Sequence, residues 1–269
     1  MDSSIDFMNR PAIDVHGHCG AYPGYTPHQA ELNDVGPEEV SKRARACHIE
    51  TTLVSEIGAF DASEDRPSDV DAANDRAARA AERHDNLRFY AVINPKLDGW
   101  QARTEGLLAH PRCVGIKLHP RWNFWDVDEH GDRLFGFLND RRLLTLTHTG
   151  DPGNEPEKFI PWANRFPDVR LILAHIGHHH LSERWDLQIR GVEMSTQGNV
   201  WADTSSSNSV RAKLIETALD RIGADRILFG TDTPLYFAAM QKARVACALI
   251  PDEAKQKILH DNAAALLGL

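Results

Sequence analysis

The sequence predicts one (β/α)8 barrel over residues 1–269, and three observations carry that reading. Eight short apolar runs rich in β-branched and aromatic residues recur along the chain, separated by amphipathic, helix-like segments. Alternation at this pitch implies parallel strands joined by helical crossovers, and eight such units close a barrel. The 269-residue length suits a barrel of roughly 250 residues, and no Pro/Gly/Ser-rich linker or charge block divides the chain. A doubly wound open sheet is the rival, but no glycine-rich phosphate turn follows the first strand.

In order, the runs are AIDVHGH (12–18), TTLVSEI (51–57), LRFYAVINP (87–95) and CVGIKLHP (113–120), then LLTLTHTG (143–150), VRLILAHIG (169–177), NVWADTS (199–205) and RILFGTDTP (226–234). Segments such as 37–49, 67–84 and 209–223 carry helical periodicity between them. Two connections, 19–36 and 120–128, exceed ordinary turns and follow strands one and four, on the side where a barrel builds its site. Their aromatics, Tyr22, Tyr25, Trp122, Phe124 and Trp125, either wall a substrate pocket or cover the barrel mouth. The last residues read as two short helices, the second started by Asp261 or Asn262.

Composition narrows the function. A hydrophobic content of 42% with 26% charged residues describes a soluble globular chain. A formal charge of −9 argues against nucleic acid and anionic membrane surfaces as partners, which leaves a small-molecule substrate. The polar opening lacks the apolar run of a signal peptide, and no apolar segment approaches the roughly 18 residues of a membrane span. Cys19, Cys47, Cys113 and Cys247 are scattered, unlike a zinc-finger or thioredoxin pattern, and read as reduced, mostly buried thiols of a cytoplasmic protein. Only Cys19 stands beside candidate site residues. A homodimer is the expectation from general priors alone.

The chemistry collects at strand ends. Asp14, His16 and His18 alternate, so in a strand both imidazoles share one face and reach one metal ion. Strand five ends in His148, strand six in His175 and strand eight in Asp232, and a barrel gathers those ends around one opening. AIDVHGH, THTG, LILAHIG, ILFGTDTP and the closing NAAALLGL together resemble the amidohydrolase superfamily, specifically its amidohydrolase-related branch. That branch includes aminocarboxymuconate semialdehyde decarboxylase, dihydroxybenzoate decarboxylases and several lactone hydrolases. The resemblance implies a distorted barrel with one divalent metal, zinc first and manganese or iron as alternatives. It implies His16, His18, His148 and Asp232 as ligands, with His175 holding or deprotonating the water. The residues agree: imidazoles and a carboxylate leave an open position, metal binding lowers the pKa of water to about 7, and Asp232 can carry a proton to a leaving group. The plainer readings are a satisfied core histidine for His175 and a turn cap for Asp232.

Lys117 and His119 share a face of strand four. In other branches a lysine there is carboxylated and bridges two metals; the decarboxylase-like members lack it. Lys117 is read here as a buried cation paired with an acid such as Asp14, or as a substrate contact. Substrate contacts are placed at Lys117, His119, Arg121 (an anchor for a carboxylate), Trp122, His178 and Tyr236. His178–180 falls at an expected helix start and is read as solvated or substrate-lining rather than chelating. Asp203 and Ser205 share a face of strand seven and can orient substrate or the metal-side histidines. Three functions follow: metal-dependent hydrolysis of a C–O or C–N bond in a small ester, lactone or amide; non-oxidative decarboxylation of a small aromatic or unsaturated acid; and, least favoured, a non-catalytic metal-holding barrel, since buried polar clusters are costly to keep.

Overall fold

The computed structural model describes residues 6–179, 184–206 and 210–269. Eight parallel strands neighbour one another in chain order. They are β1 (Ala12–Cys19), β2 (Ile49–Glu56), β3 (Leu87–Val92), β4 (Cys113–Leu118), β5 (Leu144–Thr147), β6 (Arg170–Leu173), β7 (Val200–Asp203) and β8 (Ile227–Leu228). Backbone bonds return the sheet to β1: Val15 N donates to Phe229 O (2.9 Å), His18 N to Thr233 O (2.6 Å) and Asp232 N to His16 O (2.7 Å). This is the expected (β/α)8 barrel. Among the described residues no helix is long and apolar enough to cross a membrane.

Strand alternation separates two cores. On β6, Leu171 and Leu173 join the cluster beneath the helices, whereas Ile172 joins Leu53, Tyr90, Leu144, Leu146 and Leu228 in an inner cluster. Ala263 and Ala264 of the last helix complete that inner cluster. On β4, Ile116 and Leu118 take the helix side, which turns Lys117 inward. Helix Val70–Arg83 shows how a crossover is built. Asp69 caps it by accepting from Ala72 N at 2.9 Å, and its buried face is mostly alanine, Ala73, Ala77, Ala80 and Ala81, which lets the helix lie close on β2 and β3.

Several expected boundaries move, each for a local reason. The segment 37–49 is helical only over Pro37–Ala46, because Cys47 and His48 (φ 53°) turn the chain into β2. Helix in 209–223 is confined to Leu214–Ile222, ended by Gly223 at φ 74°; Ser209 lies outside the described residues. The connection 19–36 contains a helix, Pro27–Asn33, started by a capping box between Thr26 and Gln29. The eighth run is a strand only over two residues, since Thr231 N and Asp232 N (φ 58°) both turn toward the His16 carbonyl. At the carboxyl end Asp252–Gln256 passes through a wider turn, Lys257–Asp261, into helix Asn262–Leu267. All four cysteines are free; Cys247 is exposed rather than buried, and Cys19 packs with Val35 and Val40 rather than in the site.

Candidate active site

The site sits where the strand ends and their following loops converge. His16 and His18 share a face of β1, and their Nε2 atoms lie 3.3 and 3.1 Å from Asp232 Oδ1. The ligand-type atoms of these three buried residues all lie within 4.8 Å of one another. Each imidazole is held from behind: His16 Nδ1 is 2.9 Å from Asp203 Oδ2, and His18 Nδ1 is 2.9 Å from Ser55 Oγ. Asp203 in turn accepts from the backbone N–H groups of His175 and Ser205, both at 2.9 Å.

His148, expected as a further ligand, has both ring nitrogens on other partners. Its Nδ1 is 3.1 Å from His175 Nε2, and its Nε2 is 2.7 Å from Asp151 Oδ2. The reason is local: a carboxylate three residues on, in the loop after β5, draws the ring toward itself. His175, at φ 75°, turns out of β6 and lies tilted against His16 at 4.8 Å, with Nδ1 2.7 Å from Ser205 Oγ. Lys117 is also placed differently from the expected pairing. Its Nζ donates to His16 Nε2 at 2.8 Å, and the acids acting on it are Asp232 and Asp203. Asp14 instead accepts from Thr231 N (2.9 Å) and Thr231 Oγ1 (2.6 Å).

A near-parallel stack of rings forms one wall. His119 lies 4.1 Å from His148 on one side and 4.5 Å from Trp122 on the other, and Tyr22 covers Trp122 at 4.5 Å. Arg121 Nε approaches Asp151 Oδ2 at 3.5 Å, so the expected carboxylate anchor already meets an acid. His178 and His179 are not helical; the following helix is Leu187–Met194, and His180 lies outside the described residues. Every residue expected as a metal ligand, catalytic group or substrate contact, Tyr236 included, lines one cavity of about 250 Å³, whereas Asp203 and Ser205 do not line it. Phe124 and Trp125 line an adjoining groove instead, with Tyr22, Arg121 and Trp122. Sequence reasoning missed Asp151, Ser206 and Leu235, which line the cavity too; the signal for Asp151 was its i+3 spacing from His148.

Burial sets most charge states. It drives the imidazoles of His119 and His175 well below their ordinary range, lowers His148, and takes His18 down to about 4, so these rings are neutral near pH 7. Burial also raises Asp14 to about 7 and lowers Lys117 to about 8, the latter against the pull of Asp232 and Asp203. Burial opposes charge on Asp232 as well. The neighbouring imidazoles, with the hydrogen bond from His18, outweigh it, and the carboxyl is held well below the usual range. Asp151 follows the same balance: burial is overcome by His148, His178 and Arg121.

Solved structures share this fold. One is 5-carboxyvanillate decarboxylase LigW from Sphingomonas paucimobilis, with 14% identity over 96% of this chain and 99% of that one, at a TM-score of 0.74. A second is dihydroxybenzoic acid decarboxylase from Polaromonas sp. JS666, solved with bound manganese and the inhibitor 2-nitroresorcinol, with 16% identity over 97% of each chain and a TM-score of 0.73. A third, a TIM-barrel protein from Bordetella bronchiseptica, has 20% identity over 96% of this chain and 98% of that one, at 0.72. At these identities the likeness is one of fold. No curated protein matches the sequence. The amidohydrolase family model, however, matches residues 13–269, nearly the whole barrel with every strand and the cavity just described, and the chain belongs to the amidohydrolase family.

Proposed function

We propose that the chain is a metal-dependent hydrolase that cleaves a C–O or C–N bond in a small ester, lactone or amide. The observation that carries this reading is the convergence of His16 and His18 Nε2 on Asp232 Oδ1 in a cavity large enough for one small molecule. Two imidazole nitrogens and a carboxylate oxygen suit a divalent ion, zinc first and manganese or iron next. Asp203 and Ser55 behind the rings orient both Nε2 atoms toward it. When bound there, such an ion supplies Lewis acidity, polarising a carbonyl and acidifying a water.

The chain's own groups do the rest. Asp232, ionised, takes a proton at its carboxylate from the attacking water and returns it to the leaving oxygen or nitrogen. His175, kept neutral by burial, is a base rather than an acid at neutral pH. A proton reaching its Nε2 finds His148 Nδ1 at 3.1 Å and Asp151 beyond, a path out of the site. Trp122 and His119, whose faces are taken within the ring stack, turn their edges to the cavity. A second reading, non-oxidative decarboxylation of a small aromatic or unsaturated acid, is supported by two of the structural relatives, which are named as decarboxylases.

Protein purified without added metal and then stripped with a chelator decides the matter. Acid release from lactones or amides that returns with zinc or manganese supports hydrolysis, and carbon dioxide release from aromatic acids selects the second reading. Activity indifferent to the chelator, in a protein that carries no metal, would refute both.

A further inference from the structure

The groove beside the cavity shares Arg121 and Trp122 with it, so the two form one continuous space. At about 710 Å³ the groove is the larger part, and together they hold a molecule longer than the 250 Å³ cavity admits alone. Four connections at the carboxyl ends of strands build it: Tyr22 follows β1, Glu64 follows β2, Trp122 and Phe124 follow β4, and Asn154 follows β5.

The loop after β4 is held in one shape. Asn123 N donates to His119 O at 2.9 Å and Trp125 N to Pro120 O at 3.1 Å, while Asn123 Nδ2 reaches across to Ala59 O at 3.1 Å. Between these bonds Phe124 stands at φ 49°, a left-handed backbone that a bulky residue adopts only where its surroundings impose it. That conformation leaves its ring on the groove, 36% exposed. Two side chains of the same lining are nine-tenths buried and unmatched. Trp125 Nε1 and Asn154 Oδ1 have no hydrogen-bond partner among the described residues, although the side chains are 7% and 3% exposed. A donor and an acceptor left open on the wall of a groove point to a ligand.

Charge decides which kind. Three carboxylates line the groove, Glu64, Asp126 and Glu129, against one cation, Arg121. Arg121 already meets Asp151 at 3.5 Å, and Asp126 is engaged by Lys158 at 3.3 Å and by Asp128 N at 2.8 Å. Among the described residues Glu64 and Glu129 have no Lys or Arg partner, and Glu129 meets a single imidazole, His130, at 4.0 Å. An aromatic ring edged by such carboxylates attracts an organic cation through its quadrupole and through charge, and repels an anion.

We propose that this groove is a second subsite, which takes an ammonium-bearing arm of the substrate while the bond that reacts lies in the inner cavity. The arm passes Arg121 and Trp122, the two residues common to both spaces. This assignment rests on the inner cavity being the hydrolytic site, and it narrows the substrate to a small ester, lactone or amide with a cationic end.

Full-length protein, metal-stripped and then with added Zn2+, is titrated calorimetrically with choline and with its uncharged carbon isostere, 3,3-dimethylbutanol. The wild type is expected to bind choline about tenfold tighter in both states. Glu64→Gln combined with Glu129→Gln should abolish that preference, and Phe124→Leu should reduce it without weakening dimethylbutanol. Asp232→Asn and the remote Glu253→Gln should keep it, with circular dichroism confirming that each variant folds. Equal affinity for the two compounds, no binding of either, or a preference that survives the double glutamine variant would overturn the second subsite. Loss of the preference in Asp232→Asn would overturn it too, by placing choline in the inner cavity. Turnover separates this subsite from the hydrolase reading. Acetylcholine should be cleaved with a kcat/KM about tenfold above that of 3,3-dimethylbutyl acetate, and the ratio should fall to about one in the double variant. Preferential choline binding with neither ester cleaved would support the subsite and count against the hydrolase.

Discussion

Asp203→Asn separates an oriented imidazole from a merely buried one. In the wild type, His16 Nδ1–H donates to Asp203 Oδ2 at 2.9 Å, which leaves the Nε2 lone pair toward Asp232 and the cavity. The other oxygen, Oδ1, is claimed by the backbone donors of His175 and Ser205, both at 2.9 Å. An asparagine has one acceptor oxygen, and those two donors hold it in place. Its NH2 then faces His16 Nδ1, which becomes the acceptor, and the ring hydrogen moves to Nε2. The ligand atom is thereby blocked unless the ring tautomerises back at the cost of a buried hydrogen bond. Losing such a support typically weakens metal affinity about 10- to 100-fold, or roughly 1.4–2.7 kcal/mol. We expect the Kd for Zn2+ or Mn2+, measured by competition with a chromogenic chelator, to rise by that factor, with kcat falling and the far-ultraviolet spectrum unchanged. A folded variant with wild-type Kd and kcat would refute the argument that Asp203 sets the His16 tautomer.

Two further outcomes follow from other parts of the barrel. Lys117, lowered to about 8, is protonated below that pH, and its Nζ lies 2.8 Å from His16 Nε2, where it competes with an ion. Mn2+ affinity should therefore increase from pH 6.5 to about 8 and level off above, while Lys117→Met should lose that slope; a flat wild-type profile would remove the competition from the account. Gly115→Ala would place a Cβ 2.1 Å from the Leu144 carbonyl oxygen, forcing apart β4 and β5, the strands that lead into His119 and His148. It should lower stability by about 3 kcal/mol or more in urea denaturation, and a loss within about 0.5 kcal/mol would show that the pair yields.

What the sequence made legible follows from where regular geometry still holds. Alternation in β1 puts His16 and His18 on one face whatever the loops do, and alternation in β4 does the same for Lys117 and His119. Barrel closure then brings His175 and Asp232 to the same opening, because strands of one handed sheet end on one rim. Past the last ladder bond that regularity stops. His148 lies one residue beyond β5, and its ring direction is decided by Asp151 in the loop rather than by the strand. Asp14 looks like a partner for Lys117 in the sequence. The curl of residues 229–233 over β1 brings Thr231 to it first, leaving Lys117 to the acids of β7 and the Asp232 turn. The His148–Asp151–His178 group is the clearest case. Two of its members lie three residues apart in one loop, and the third stands on another loop, after β6. Only the β5–β6 pairing, with Thr147 opposite Leu173, sets those loops side by side and gives the second carboxylate oxygen its own imidazole. A motif confined to one strand can be read from spacing. A donor set assembled across two loops depends on the register between their strands, and the sequence carries that register only through the packing of the whole sheet.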